Sequence, residues 1–202
     1  MNYLFFTLTG YLSGSVLYAY WLPKLLCGKN VIEISNDNNP GTANAYKSSG
    51  VFIGTLVLFC ELSKGFLPVY FAAKHAAVES MLFIPVVLAP VLGHAFPIFD
   101  YKKGGKAIAV SFGVLLGLFP ICRPVLILAA AYLSYSLVIV IEPHIFRSVV
   151  TFFTFSVLNF LTCSLPSLCF SGVAISAVVI FKHLEKYQGE TFSMRLFRPR
   201  HP

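Results

Sequence analysis

Apolar residues run along this chain in long blocks separated by short polar breaks. The blocks fall near residues 3–22, 51–73, 80–99, 106–120, 124–142, 146–164 and 166–182. Each approaches the roughly 20 apolar residues (about 17–25) that a helix needs to cross a bilayer. The fourth is short. It ends at Pro120, Pro124 opens the next, and Pro166 opens the last. Backbone groups in lipid must pair within their own segment, which favours helices, and no barrel-type alternation is present. The pattern predicts an all-α membrane protein with seven transmembrane helices. The polar stretches 23–50 and 182–202 are too short for a separate domain. One membrane domain over 1–202 is expected, with a basic tail at 183–202.

The charges set a direction. No Lys or Arg precedes the first block, which is also too long for a signal-peptide core, and Lys24 follows it. That favours an external N-terminus and a cytoplasmic C-terminus. With seven spans in this sense, twelve of the fifteen basic residues fall on the inner side, as the positive-inside rule requires. Composition agrees: 57% of the residues are hydrophobic and only 11% charged, where a soluble domain carries about 25% charged residues. The net charge of +7 therefore points to anionic lipid or phosphate and not to nucleic acid. The five cysteines form no CxxC pair and no metal spacing, so neither a disulfide nor a metal site is expected.

Three polar motifs interrupt this pattern. "SNDNNPGTANAY" (35–46) contains the turn Asn39-Pro40-Gly41. Pro fixes φ and Gly accepts positive φ, so a solvated loop explains it as well as a ligand loop does. Asn44 and Lys47 lie just before the second block, near a helix start that attracts anions. "DYKKGGKAIAVSFG" (100–113) places Lys106 at the start of the fourth block behind Gly104 and Gly105. A positive-inside cluster accounts for Lys102, Lys103 and Lys106 but not for the glycine pair, which suits close approach of backbone to an anion. Glu61 and Lys64 lie three apart inside the second block and can pair on one helix face. They form either a structural ion pair or part of a site. His94 lies near the inner end of the third block and His183 at the inner end of the last. These two converge on the same face as the glycine–lysine loop, and His75, His144 and His201 have no such company.

These motifs, in this order, resemble the PlsY family of membrane glycerol-3-phosphate acyltransferases, over residues 1–186. "NNPGTAN" is similar to its G-S-G-N-P-G-x-x-N loop, and "ELSKGFLPVYFA" to its D-x-x-K-G-x-x-P helix. "GHAFPIFDYKKGGKAIAVSFGVLLGL" is similar to its G-H-x-F-P…F-K-G-G-K-G segment, and "FKHLEKYQGETFSMRLF" more faintly to its R-H-x-x-N motif. The departures are Asp37 for the motif serine, Lys47 for an arginine, Ala107 for the third glycine and Lys186 for the last asparagine.

The resemblance implies transfer of an acyl group from acyl-phosphate to the 1-hydroxyl of glycerol 3-phosphate, at the cytoplasmic face of the bacterial plasma membrane, among membrane lipids and without a cofactor. It implies catalytic roles for His183, Lys106 and Asn44. Lys106 with Gly104 and Gly105 would hold one phosphate. Asn39, Asn44 and Lys47, with Ser35, Asp37 and Gly41 in the same loop, would hold the other head. His183 or the substrate phosphate would serve as base. Lys64, held by Glu61, would balance phosphate charge, and His94 would orient the loop. An enzyme acylating another phosphorylated acceptor is the alternative. A small lipid transporter is a further one, although no internal repeat is present.

Overall fold

The computed structural model describes residues 2–35, 37–99, 104–121 and 123–197. Lys102 and Lys103 of the lysine–glycine stretch, and Arg198, Arg200 and His201 of the tail, lie outside the described residues.

Among the described residues nine α-helices follow one another: α1 Tyr3–Ser15, α2 Tyr18–Cys27, α3 Val31–Ile34, α4 Thr42–His75, α5 Phe83–Ala95, α6 Ile108–Gly117, α7 Pro124–Leu133, α8 His144–Thr162 and α9 Pro166–Leu184. Proline stands at the first turn of α7 and α9, where its missing N–H costs nothing. Among the described residues three helices are long and apolar enough to cross a membrane: α4, α8 and α9. The expected spans 80–99 and 106–120 contain helices of 13 and 10 residues. At helical rise these are about 20 and 15 Å long, short of a ~30 Å hydrocarbon core.

Two expected spans are not continuous helices. The block 3–22 breaks at Val16, which is extended, and Leu17, which is also non-helical. The block 124–142 passes from α7 into a π-helical turn, Ser134–Val138, and then into strand β1, Ile139–Glu142. β1 pairs antiparallel with β2, Ser193–Leu196, in the register Ile139↔Leu196. The fold is thus helical with one two-stranded ribbon, and the all-α expectation needs that correction. Ile139, Val140 and Ile141 are branched residues that suit a strand, and the following Pro143 disfavours helix in the residue before it.

α4 is two pieces. Gly50 has φ 82° and ψ 177°, a backbone state that only glycine adopts without strain. The bend separates the polar turn pair 42–49, which carries Asn44 and Lys47, from the apolar length beyond it. Helices approach closely where glycines face backbone. A Cβ on Gly113 of α6 would lie 2.1 Å from the Leu62 carbonyl oxygen of α4, and one on Gly14 of α1 would lie 2.1 Å from that of Pro90 in α5. Small residues of this kind let helices pack in lipid, where hydrophobic contrast between helices is weak. The core between α4, α5, α6, α8 and α9 holds Val69, Phe83, Val114, Phe152 and Ile175, all fully buried.

Candidate active site

Four polar segments meet at one end of the bundle. They are the loop before α4, the link from α5 to α6, the start of α8 and the stretch after α9. Lys106 is at the centre, 6% exposed. Its Nζ lies 2.8 Å from Asp37 Oδ2 and 3.0 Å from His144 Nε2. Asn44 Nδ2 donates to the other Asp37 oxygen and to the Asn39 carbonyl, both at 2.9 Å. Burial acts to raise the Asp37 pKa, but the Lys106 ammonium, the Asn44 amide and His144 outweigh it and hold it below the ordinary carboxylate value. His144 is the residue sequence reasoning missed: nothing near it in the chain marks it, and Lys106 is 38 positions away.

The loop before α4 is shaped by its own contacts. The Asn39 N–H donates to Ser35 Oγ at 3.2 Å, and the Gly41 N–H to the Asn39 carbonyl at 2.8 Å. Asn39 is buried, and its Oδ1 has no hydrogen-bond partner among the described residues. A cleft of about 320 Å³ lies here, lined by Ser35, Asp37, Asn44, Lys47 and His144. A second, mostly apolar cleft of about 490 Å³ adjoins it between α4 and α6. Leu58, Leu62, Ile108 and Phe112 form its greasy wall, and Lys106, Asn44 and His144 stand at its polar end.

The glycine pair, expected to bring backbone close to a ligand, brings it against α5 instead. A Cβ on Gly104 would lie 2.1 Å from the Ala95 carbonyl oxygen, and one on Gly105 would lie 2.1 Å from His94 Nε2. The Gly105 N–H also donates to the His94 carbonyl at 3.1 Å. His94 therefore seats the loop that presents Lys106. Ala107 follows with φ 59° and ψ 16°. An L-residue in this left-handed state is strained by about 1–2 kcal/mol, partly offset by the ~0.5–1 kcal/mol that glycine loses in chain entropy. Ala107→Gly is expected to raise the thermal midpoint by about 2 °C and Ala107→Val to lower it, as differential scanning fluorimetry in detergent will read.

Beneath the cleft lies a buried ion cluster. Lys64 Nζ lies 2.7 Å from Glu61 Oε2, 2.6 Å from the Val16 carbonyl oxygen and 2.9 Å from His94 Nδ1. His94 Nδ1 also lies 3.1 Å from Glu61 Oε2, so the ring stands against both charges of the pair. Glu61 Oε1 accepts from the Ala19 N–H at 3.2 Å. The break between α1 and α2 supplies both backbone partners. A carbonyl at the negative end of α1 meets the cation, and an N–H at the positive end of α2 meets the anion. Irregular backbone at membrane depth is tolerated in this way, buried in protein. Lys64, expected to balance substrate charge, is 3% exposed and lines neither cleft. Its contacts make it a positioning group, whereas Glu61 and His94 do reach the apolar cleft.

His183 is fully buried and, like Lys64, lines neither cleft. Its Nδ1 lies 2.8 Å from the Val179 carbonyl. A carbonyl can only accept, so Nδ1 carries the proton and Nε2 keeps a free lone pair. Nε2 has no hydrogen-bond partner among the described residues. Lys106, His144 and Asp37 lie near enough for their charges to act on the ring. Lys186 Nζ donates to the Asn38 carbonyl at 3.1 Å and ties the stretch after α9 to the loop before α4. Burial and then the Lys182 charge push the Lys186 pKa below that of an ordinary lysine, while Asp37 pulls it back.

A cation at the junction of an apolar and a polar cleft suits an amphiphilic anion, with its head at Lys106 and its chain against α4 and α6. Comparison with known proteins bears on this. The profile of the glycerol-3-phosphate acyltransferase family matches residues 4–190. A glycerol-3-phosphate acyltransferase of Streptococcus thermophilus is 34% identical over 190 residues, 92% of this chain and 88% of that protein. One from Thermotoga petrophila is 35% identical over 115 residues, 57% of this chain and 58% of that protein's length. Among solved structures, PlsY, an integral membrane glycerol 3-phosphate acyltransferase in its glycerol 3-phosphate form, superposes with a TM-score of 0.78. It is 27% identical, and the match covers 92% of this chain and 90% of that one.

Proposed function

The chain belongs to the glycerol-3-phosphate acyltransferase family of PlsY, and from that membership and the site geometry we propose that it transfers an acyl group from acyl-phosphate to the 1-hydroxyl of glycerol 3-phosphate. The observation that carries this reading is the position of Lys106 where the apolar and polar clefts meet. The acyl chain lies along Leu62 and Phe112 with its phosphate at Lys106. The acceptor enters the polar cleft beside Asn44 and Lys47. Its hydroxyl oxygen forms a bond to the acyl carbon, the bond from that carbon to the phosphate oxygen breaks, and phosphate leaves. The hydroxyl proton passes to His183 Nε2 or to the departing phosphate. The donor is already activated, so the site has to hold two anions and move one proton.

Seven crossings with the N-terminus outside and the site on the cytoplasmic face of a bacterial plasma membrane complete the proposal. The contacts Lys106–Asp37, Lys106–His144 and Lys186–Asn38 support it, because they join four segments that the charge pattern assigns to one side. The test uses detergent-purified protein, glycerol 3-phosphate and each donor in turn. Lysophosphatidate and phosphate are expected from acyl-phosphate and not from acyl-CoA. Efficient transfer from acyl-CoA overturns the donor assignment. Phosphate release without acylated glycerol phosphate favours another phosphorylated acceptor, the reading that Asp37 and Lys186 keep in play.

A further inference from the structure

The Asp37 carboxylate sits where an external anion has to bind. Its two oxygens take the Lys106 ammonium and the Asn44 amide, and His144 Nε2 lies 4.0 Å from Oδ2. The cation that the proposed function assigns to a substrate phosphate is therefore already neutralised by the protein. A phosphate at Lys106 beside an ionised Asp37 would place two anions in contact in a partly buried site, so the carboxylate must leave for the phosphate to enter.

A receiver stands next to it. Lys186 Nζ bonds the carbonyl of Asn38, the residue after Asp37, and the two side-chain charges already act on each other. Asn38 has φ 46°, a left-handed state that asparagine tolerates better than most residues. The carboxylate and the ammonium also cancel in charge, and both are departures from the pattern this chain otherwise resembles. We infer that Asp37 is an exchangeable internal anion, which neutralises Lys106 in the empty site and passes to Lys186 when a phosphate-bearing substrate binds. The inference rests on the reading of Lys106 as the phosphate-holding cation. It makes Asp37 and Lys186 a coupled pair that sets phosphate affinity, because only the fraction of molecules with Asp37 withdrawn is competent to bind.

Phosphate titration of the detergent-purified full chain tests this without requiring catalysis. Inorganic phosphate is the probe, followed by calorimetry and 31P line width. Asp37→Ser is expected to tighten phosphate binding roughly tenfold, as removal of an internal competitor does. Asp37→Asn, which keeps the shape, is expected to act in the same direction. Lys186→Asn is expected to weaken phosphate severalfold with Asp37 present and to have no effect in the Asp37→Ser background. Weaker binding by both Asp37 variants overturns the inference. So does an equal effect of Lys186→Asn in both backgrounds, which makes Lys186 a general surface cation. If wild type and Asp37→Ser both fail to bind phosphate, the assignment of Lys106 itself falls, and the exchange with it. Melting curves of wild type and the four variants show whether each is folded.

Discussion

Lys106→Ala is expected to lower kcat/KM for acyl transfer by about 10²–10³-fold, the usual cost of removing a group aimed at charge that develops in the transition state. Phosphate leaves carrying charge that the acyl ester does not keep, and among the described residues Lys106 is the cation that lines the apolar cleft. The side chain is buried and lies against His144, which keeps it aimed at the cleft once Asp37 has withdrawn. Lys103→Ala, a change in the same lysine cluster, is expected to cost little, because the charge pattern along the sequence assigns it only to the general positive-inside bias. Initial rates at saturating and limiting donor check both variants. Small and equal losses would assign the whole cluster to membrane orientation and remove Lys106 from the chemistry.

The second large effect is on stability. Lys64→Ala leaves Glu61, 1% exposed, without its main countercharge. Breaking a buried pair from one side costs about 3–5 kcal/mol. Replacing both partners with apolar or neutral groups of similar volume costs far less, because no uncompensated charge remains. Glu61→Gln combined with Lys64→Met is thus expected to unfold at higher SDS fraction than Lys64→Ala alone. The opposite order would show that the cluster stabilises the fold beyond its own charge balance. The break between α1 and α2 makes the expectation specific, since the Val16 carbonyl loses its donor in either case while the Ala19 N–H keeps an acceptor oxygen at position 61.

Much of the helical pattern was legible in the sequence, because apolar blocks and proline punctuation are local signals. α4, α8 and α9 fall where the blocks lie. The break at Val16 was not legible. The stretch from Tyr3 to Leu22 carries no charged residue and no proline, and the carbonyl it frees is claimed by a lysine 48 positions away. β1 was hidden for a similar reason: Ile139, Val140 and Ile141 read as the end of a span until a partner strand near the C-terminus is known. In the candidate site, the turn at Asn39 and the cation at Lys106 carry local marks. His144 carries none, and its role depends on a contact that only the tertiary fold creates. The glycine pair was noticed for its permissive backbone, yet what it answers is crowding by His94 and Ala95.

The ribbon and the Lys186 contact also fix the order in which the molecule can be completed. β1 has no partner until the segment 193–196 has been made, and the bond from Lys186 to Asn38 joins residues 148 positions apart. Loops that close over such separations form late, after local helices have already been gained. During synthesis the first eight helices can be in place while the polar end of the bundle still lacks its last wall. A chain stopped before α9 keeps Lys106, Asp37 and His144 but has neither His183 nor Lys186. On this topology the polar cleft is walled only with the final stretch of polypeptide and not gradually, so an unfinished chain leaves that end of the bundle open.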